Sequence, residues 1–201
     1  MRLLLGPVLV LALLLAACSG DDDGTTAATP TGESSEPVPA EPEGFAFTGV
    51  DVVEGEPIDP RHTCDGDNHS PALSWKDVPQ GTAELALIVD DPDAPGGTFT
   101  HWVAYAIPAD YTGLDRGVPP GPVVSGAISL KQGPNDGSDV PGYTGPCPPG
   151  GETHDYAFTL YALGAETGLD GGASVDDLRA AMEGHVLGEA VLTAPYSRLS
   201  R

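Results

Sequence analysis

Two stretches of the sequence, residues 90–102 and 142–156, place acids, histidines and a tyrosine beside loops rich in glycine and proline. A carboxylate fixes the orientation of an adjacent imidazole and favours its protonated form, in which the other ring nitrogen points outward as a donor. A tyrosine hydroxyl and backbone N–H groups can supply further contacts to an anion. The two stretches therefore predict a site for a small anionic or zwitterionic ligand, with the aspartates of the first stretch, His101, His154 and Tyr156 as its candidate contacts.

The same residues allow other interpretations. Asp91 and Asp93 fit a tight turn, because aspartate and proline favour turns, and His101 by itself fits a buried core histidine. Two aspartates and two histidines could instead hold zinc or manganese, although the spacing is not that of a calcium loop. Three further histidines are expected to be structural or exposed: His62, His69 and His185.

A hydrolase is a less favoured interpretation of this region. The available serines, Ser70, Ser74 and Ser125, do not lie in the G-x-S-x-G pattern of a nucleophile elbow. An Asp–His pair without a positioned nucleophile does not form a catalytic triad. The sequence therefore favours a binding protein over an enzyme.

Short strands dominate the part of the chain that must position these residues. Stretches rich in β-branched and aromatic residues, bounded by Gly, Pro and Asp, predict strands; they cover residues 45–53, 84–90, 101–107, 123–130 and 155–163. Residues 185–196 return to an extended pattern near the C-terminus. The expected core aromatics are Trp75, Trp102, Phe158 and Tyr161.

One helix is well signalled close to the C-terminus. Ser174 can cap it with Asp177 three residues later, and Gly184 can end it. Many strands with one or two short late helices predict a mainly β domain made of two packed antiparallel sheets. A parallel α/β fold would need helices between the strands, where this sequence has proline and glycine.

The first 17 residues, with one positive charge and a long apolar run, are typical of a signal peptide. Residues 15–18, LAAC, resemble a bacterial lipobox and make Cys18 the expected lipidated N-terminus, with palmitate as the expected acyl chain. An ordinary secreted protein is the alternative. Residues 18–44 have the composition of a disordered tether, and residues 45–201 form the predicted domain. We thus expect a lipid anchor on the outer face of the cytoplasmic membrane or in the outer membrane.

The remaining cysteines, Cys64 and Cys147, form an even pair in an oxidising compartment. Such a pair favours a disulfide, and two isolated buried thiols are the alternative. The formal net charge of −22 makes nucleic acid and anionic lipid headgroups poor partners for the surface as a whole.

Five motifs occur together in a characteristic order: SPALSW (70–75), DPDAP (91–95), FTHWVAYAIP (99–108), GYTGPCPPGGETHDYAFTLYAL (142–163) and GHVLGEAVL (184–192). In order and spacing they resemble the phosphatidylethanolamine-binding proteins, in particular their bacterial Raf-kinase-inhibitor-like branch. The resemblance covers about residues 45–198. It implies a small, largely preformed pocket at one end of the sheets, with no cofactor and no obligatory metal. Carried over motif by motif, the residues that line this pocket are Asp91, Asp93, Pro95, His101, Gly145, Pro146, His154 and Tyr156.

The resemblance also bears on ligands and partners. Family members take phosphate, phosphoethanolamine or other small anions, and some relatives inhibit a kinase or a protease through surface contacts. Two positions depart from the family pattern. Asp155 stands where an arginine is usual, which predicts weaker phosphate binding, and Ala106 stands where the branch usually has asparagine.

Overall fold

The computed structural model describes residues 44–200 of the chain. The predicted signal peptide, Cys18 and the tether up to residue 43 lie outside the described residues. The strands are β1 (Ala46–Phe47), β2 (Leu73–Lys76), β3 (Glu84–Asp91), β4 (Phe99–Pro108), β5 (Gly113–Leu114), β6 (Val123–Val124), β7 (Leu130–Gln132), β8 (Thr153–Leu163) and β9 (Val186–Ser197). The helices are a 3-10 turn (Pro60–His62) and α1 (Val175–Met182).

The strands form two antiparallel sheets. The smaller sheet has the order β1-β2-β5, and the larger has the order β6-β7-β4-β3-β8-β9. Every strand pair in both sheets is antiparallel. The predicted fold class, mainly β with two antiparallel sheets and a short late helix, is confirmed.

Both faces of the larger sheet are covered. One face packs against the smaller sheet, and the core between them includes Trp75, Trp102 and Phe158. The opposite face is covered by α1, which contributes Leu178 and Met182. Burial on both sides explains why β3 and β4 read as almost continuous apolar runs, because neither face is left to solvent.

The helix begins and ends where the sequence predicts. The Ser174 hydroxyl accepts a hydrogen bond from the backbone N–H of Asp177, and the Asp177 carboxylate accepts from the backbone N–H of Ser174. This reciprocal pair satisfies two of the N–H groups that a helix N-terminus leaves unpaired. The chain then leaves the helix through Gly184, which has a φ of +75°.

Two predicted strands differ from the structure. The stretch 123–130 is a hairpin, in which Val123 pairs with Lys131 and Val124 with Leu130. Gly126 adopts a φ of +131° in the connection, which only glycine does without strain. The predicted first strand keeps only two of its nine residues, Ala46–Phe47, and Gly49 at a φ of +69° lies just after it.

Candidate ligand-binding site

The candidate site lies where three neighbouring strands meet. Strand β3 runs between β4 and β8 and is antiparallel to both. The end of β3, which carries Asp91, therefore lies beside the beginnings of β4 and β8. His101 is the third residue of β4, and His154 and Tyr156 are the second and fourth residues of β8. The topology thus brings together residues that are up to 65 positions apart in the chain.

A β-bulge turns His101 toward the site. Val89 pairs with Trp102 and Asp90 pairs with Thr100, so His101 has no residue opposite it. A bulge places two consecutive side chains on nearly the same side of a sheet and so redirects a side chain. The imidazole of His101 contacts the Tyr156 ring edge-on, with the ring centroids 5.2 Å apart.

His154 forms a buried ion pair with Asp91. The Nδ1–H of His154 donates to Asp91 Oδ2 at 2.8 Å, and both side chains are about 95% buried. The hydrogen bond to Asp91 raises the pKa of His154 above its usual value, against the opposing effect of burial. On its other side, Nε2 lies 3.4 Å from the carboxylate of Glu152, a largely exposed residue.

His101 is held differently, by a backbone carbonyl. Its Nδ1–H donates to the carbonyl oxygen of Thr144 at 2.8 Å. Burial lowers the pKa of His101 below its usual value, and the Thr144 carbonyl only partly offsets this. In the neutral ring Nε2 carries the lone pair. The carboxylate of Asp91 thus orients the imidazole of His154, as the sequence led us to expect, whereas a backbone carbonyl rather than an acid orients that of His101.

Tyr156 lies between the two imidazoles. Its ring is fully buried, 5.2 Å from that of His101 and 6.5 Å from that of His154. Its hydroxyl is buried and makes no hydrogen bond of normal geometry within residues 44–200, although the Asp91 carboxylate and the Cys147 N–H lie close to it. Burial and the charge of Asp91 raise the pKa of this hydroxyl far above its usual value, so it remains a proton donor. A buried donor without a partner is rare in folded proteins and marks a place where a partner is missing.

The loop before β8 supplies backbone groups to the site. The backbone N–H of Cys147 lies close enough to the Tyr156 oxygen to affect its pKa. The N–H of Gly145 is already used, because it donates to Asn68 Oδ1 at 2.7 Å. A side chain at Gly145 would come within 2.3 Å of the His62 carbonyl oxygen, so this glycine permits close packing.

Pro146 fastens the same loop to the segment around residue 64. Its carbonyl oxygen accepts from the backbone N–H of Cys64 at 3.1 Å. The predicted disulfide between Cys64 and Cys147 is present, with the two Cα atoms 5.4 Å apart. Gly145 and Pro146 thus shape the wall of the site.

The DPDAP loop is more exposed than the histidines. Asp93 accepts a hydrogen bond from the backbone N–H of Asp155, and its own N–H donates to Asp91 Oδ1, each at 2.9 Å. Asp93 and Pro95 are exposed, so they form the turn that carries Asp91 rather than the buried part of the site. Asp155 is also exposed and alternates with the buried His154 and Tyr156 along β8, so its side chain faces away from them.

Several residues that lie near the rings are not predicted as site residues from the sequence. Phe99 lies 4.7 Å from His101 between ring centroids, and the Thr144 carbonyl, the Cys147 N–H and the Glu152 carboxylate complete the surroundings. Contacts made by backbone groups do not depend on residue type, so the sequence does not reveal them. Glu152 lies in a loop with no motif that distinguishes it from other exposed acids. Of the other histidines, His62 is buried with its Nδ1 on the His69 carbonyl, and His69 and His185 are exposed.

Two hollows of the described surface lie away from the histidines. The larger, of about 490 Å³, lies over β2 and β5. The smaller, of about 390 Å³, lies at the opposite end of β3 and β4 from the histidines. Within residues 44–200, no group of three or more His, Cys, Asp or Glu is arranged to hold a metal ion. In the same range no helix has the length and apolar character needed to cross a membrane.

Comparison with protein-family models gives a match to the phosphatidylethanolamine-binding proteins over residues 48–197. A UPF0098 protein of Methanothermobacter thermautotrophicus is 53% identical over 142 residues, which cover 70% of this chain and 91% of the relative. A protein of Mycobacterium tuberculosis named "Putative lipoprotein LppC" is 35% identical over 201 residues, covering 94% of this chain and 92% of the relative.

Two solved structures share the fold. CT736 of Chlamydia trachomatis, described as a homologue of these proteins, has a TM-score of 0.68 at 32% identity and covers 77% of this chain and 98% of its own. YbcL of E. coli has the same TM-score and identity, and covers 76% of this chain and 98% of its own.

Proposed function

We propose that this chain, which belongs to the phosphatidylethanolamine-binding protein family, is a non-enzymatic protein of the cell envelope that binds phosphate or a phosphorylated headgroup such as phosphoethanolamine. The observation that carries the proposal is the buried Tyr156 hydroxyl, which lies between two histidines and makes no hydrogen bond of normal geometry with the described residues.

The groups around Tyr156 suit a phosphoryl ligand. The Tyr156 hydroxyl, the Cys147 N–H and the Nε2–H of protonated His154 are donors for phosphoryl oxygens. The Nε2 lone pair of His101 is an acceptor for a protonated phosphoryl oxygen or a ligand ammonium. Charge-assisted hydrogen bonds to an anion are roughly twice as strong as neutral ones, which favours the ligand in a buried setting.

Glu152 competes with such a ligand. Its carboxylate lies 3.4 Å from His154 Nε2, the position that a phosphoryl oxygen would take. Because Glu152 is more than half exposed, its side chain can move away at low cost. Its contact with His154 should therefore weaken ligand binding only by the small amount that an exposed charge pair contributes. His101, His154 and Tyr156 are all buried, and we expect a phosphoryl ligand to displace Glu152 from His154.

Isothermal titration with inorganic phosphate and with phosphoethanolamine tests the proposal. Tyr156→Phe removes only the unpartnered hydroxyl, so we expect binding at least about tenfold weaker without loss of stability. Glu152→Gln is expected to bind about two- to fivefold more tightly. Tyr161→Phe, on the same strand outside the site, is the matched control. Equal heats for the wild-type chain and Tyr156→Phe would refute the proposed site.

The envelope location rests on the N-terminal region. Cys18 follows a small-residue stretch after an apolar run, and the similarity to the mycobacterial relative extends over 94% of this chain. We propose lipidation of Cys18 as the anchor. Recovery of Cys18→Ser in the membrane fraction, in the same amount as the unaltered chain, would contradict it.

A further inference from the structure

A second hollow lies at the end of the larger sheet remote from the histidines. It has a volume of about 390 Å³ and is formed by the beginning of β3, the end of β4, Lys131 of β7 and the loop after β8. Strand β3 is eight residues long, so the two sites are separated by roughly 25 Å along the strand. The residues of this hollow have no part in the proposed phosphate site.

The floor of the hollow contains a buried carboxylate. Glu84 is 94% buried, and its Oε1 accepts a hydrogen bond from the backbone N–H of Thr167 at 3.1 Å. No described residue donates to Oε2. Glutamate is almost never buried without a partner for its charge. A carboxylate can accept several hydrogen bonds, and the single backbone N–H of Thr167 supplies only one of them.

A second polar group in the same wall is also unsatisfied. The hydroxyl of Thr167 is buried and makes no hydrogen bond within the described part of the chain. Beside it, Ala106 lines the hollow with a φ of +52°, a conformation that alanine rarely adopts. Unsatisfied polar groups and unusual backbone conformations concentrate at ligand sites, and here they occur together.

The charges of the hollow indicate the kind of ligand. Lys131 donates through Nζ to the Leu169 carbonyl, which leaves two of its three N–H groups for another acceptor. Two acids, Glu84 and Glu166, and one base, Lys131, line the hollow, so its lining carries one net negative charge. A ligand that fits therefore carries an ammonium group for Glu84 and an oxygen for Lys131.

We propose that this hollow is a second binding site, specific for small amino alcohols, with the ammonium group on Glu84 and the oxygen on Lys131. A competing explanation is that Glu84 serves only to hold the loop through Thr167. Glu84→Gln separates the two, because the amide oxygen still accepts from Thr167 N–H while the negative charge is lost.

The test is a titration of the purified ¹⁵N-labelled chain with 3-amino-1-propanol, followed by amide chemical shifts. We expect the largest shifts at Glu84, Ala109, Thr167 and Gly168. Propylamine, which lacks the oxygen, and 1-propanol, which lacks the ammonium group, should each bind more weakly. Glu84→Gln should weaken binding by about tenfold or more, because a desolvated charge pair is lost.

Two further variants show whether a change in amino alcohol binding comes from this hollow or from a loss of folding. Glu183→Gln, an exposed acid beyond the end of α1, should bind as the wild-type chain does. Lys131→Met should reduce the preference for the amino alcohol over propylamine even if Glu84→Gln does not fold. Shifts confined to residues near His154, or unchanged affinity of Glu84→Gln, would overturn the proposal.

Discussion

At the scale of single residues, the two site histidines are held in different charge states by different partners. His154 has a carboxylate at Nδ1, and the resulting hydrogen bond raises its pKa. His101 has a neutral carbonyl at Nδ1, and burial lowers its pKa. One ring is therefore a charged donor and the other a neutral acceptor over a range of pH around 6.5. A ligand with both an anionic oxygen and a proton to donate matches this pair.

The different partners of the two rings should set the order in which the rings titrate. Long-range ¹H–¹⁵N NMR spectra should show His154 titrating above the reference value of 6.5 and His101 below it. Titration of His101 above His154 would contradict the assigned roles.

The same shifts have opposite consequences for stability. The raised pKa of His154 contributes stability that is fully present below pH 6.5 and is lost as the pH rises through its folded-state value. The lowered pKa of His101 works in reverse, and stability falls as the pH drops below 6.5. In urea unfolding, the deficit of His154→Gln relative to the wild-type chain should therefore shrink toward alkaline pH.

At the scale of elements, strand β4 has two irregularities with different consequences. The bulge near its beginning turns His101 toward the site. Near its end the register shifts again between Leu85 and Leu87, where Ala106 takes a φ of +52°. Asparagine tolerates this left-handed region better than other non-glycine residues do. The asparagine that is usual here in the family branch therefore has a backbone explanation, and Ala106 departs from it at some cost.

Substitution at Ala106 tests this explanation. Glycine removes the clash of Cβ in the left-handed region, so Ala106→Gly should raise the free energy of unfolding by up to about 1 kcal/mol. The same change in regular strand, Ala157→Gly, should lower it by about 0.5–1 kcal/mol. Urea unfolding of both variants measures the difference, and a loss of stability in both would refute the explanation.

At the scale of the whole molecule, the disulfide joins two loops that build one wall of the site. Cys64 and Cys147 are 83 residues apart. Around them, Tyr143 donates to the His62 carbonyl and Gly145 donates to Asn68. The loop that holds His101 through Thr144 is thus fastened to the segment at 62–68, and the disulfide couples stability to the geometry of the site.

Removal of the disulfide should therefore have two effects. The variant with both Cys64→Ser and Cys147→Ser should lose about 2–5 kcal/mol of unfolding free energy, because the unfolded chain is no longer constrained. Phosphate binding should also weaken, because Cys147 N–H is no longer held near Tyr156. Denaturant unfolding and phosphate titration, with and without reductant, measure both; reductant should change the wild-type chain and leave the variant unaffected.

The overall charge of −22 does not prevent binding of an anion at this site. At physiological ionic strength, exposed charges more than about 8 Å away are largely screened. The donors around Tyr156 act at contact distance and in a buried environment. Affinity should consequently depend on Glu152, which is close, far more than on the many distant acids.

Local patterns in the sequence were sufficient for several features. The capping pair at Ser174 and Asp177 and the glycine at 184 specify α1 by short-range interactions alone. The apolar runs of β3, β4 and β8 predict strands because burial on both faces removes polar positions. Composition and motif order predicted the fold class, and the cysteine count favoured the disulfide that the structure contains.

Only the tertiary structure decided how the site residues are used. Regular alternation along β4 would place His101 with Val103 and Tyr105 on the face that α1 covers, and the bulge reverses this. The partner of each imidazole, the orphan hydroxyl of Tyr156 and the approach of Glu152 to His154 depend on strand register and loop packing. These are contacts between residues distant in the chain, and the spacing of residue types within a single stretch does not contain them.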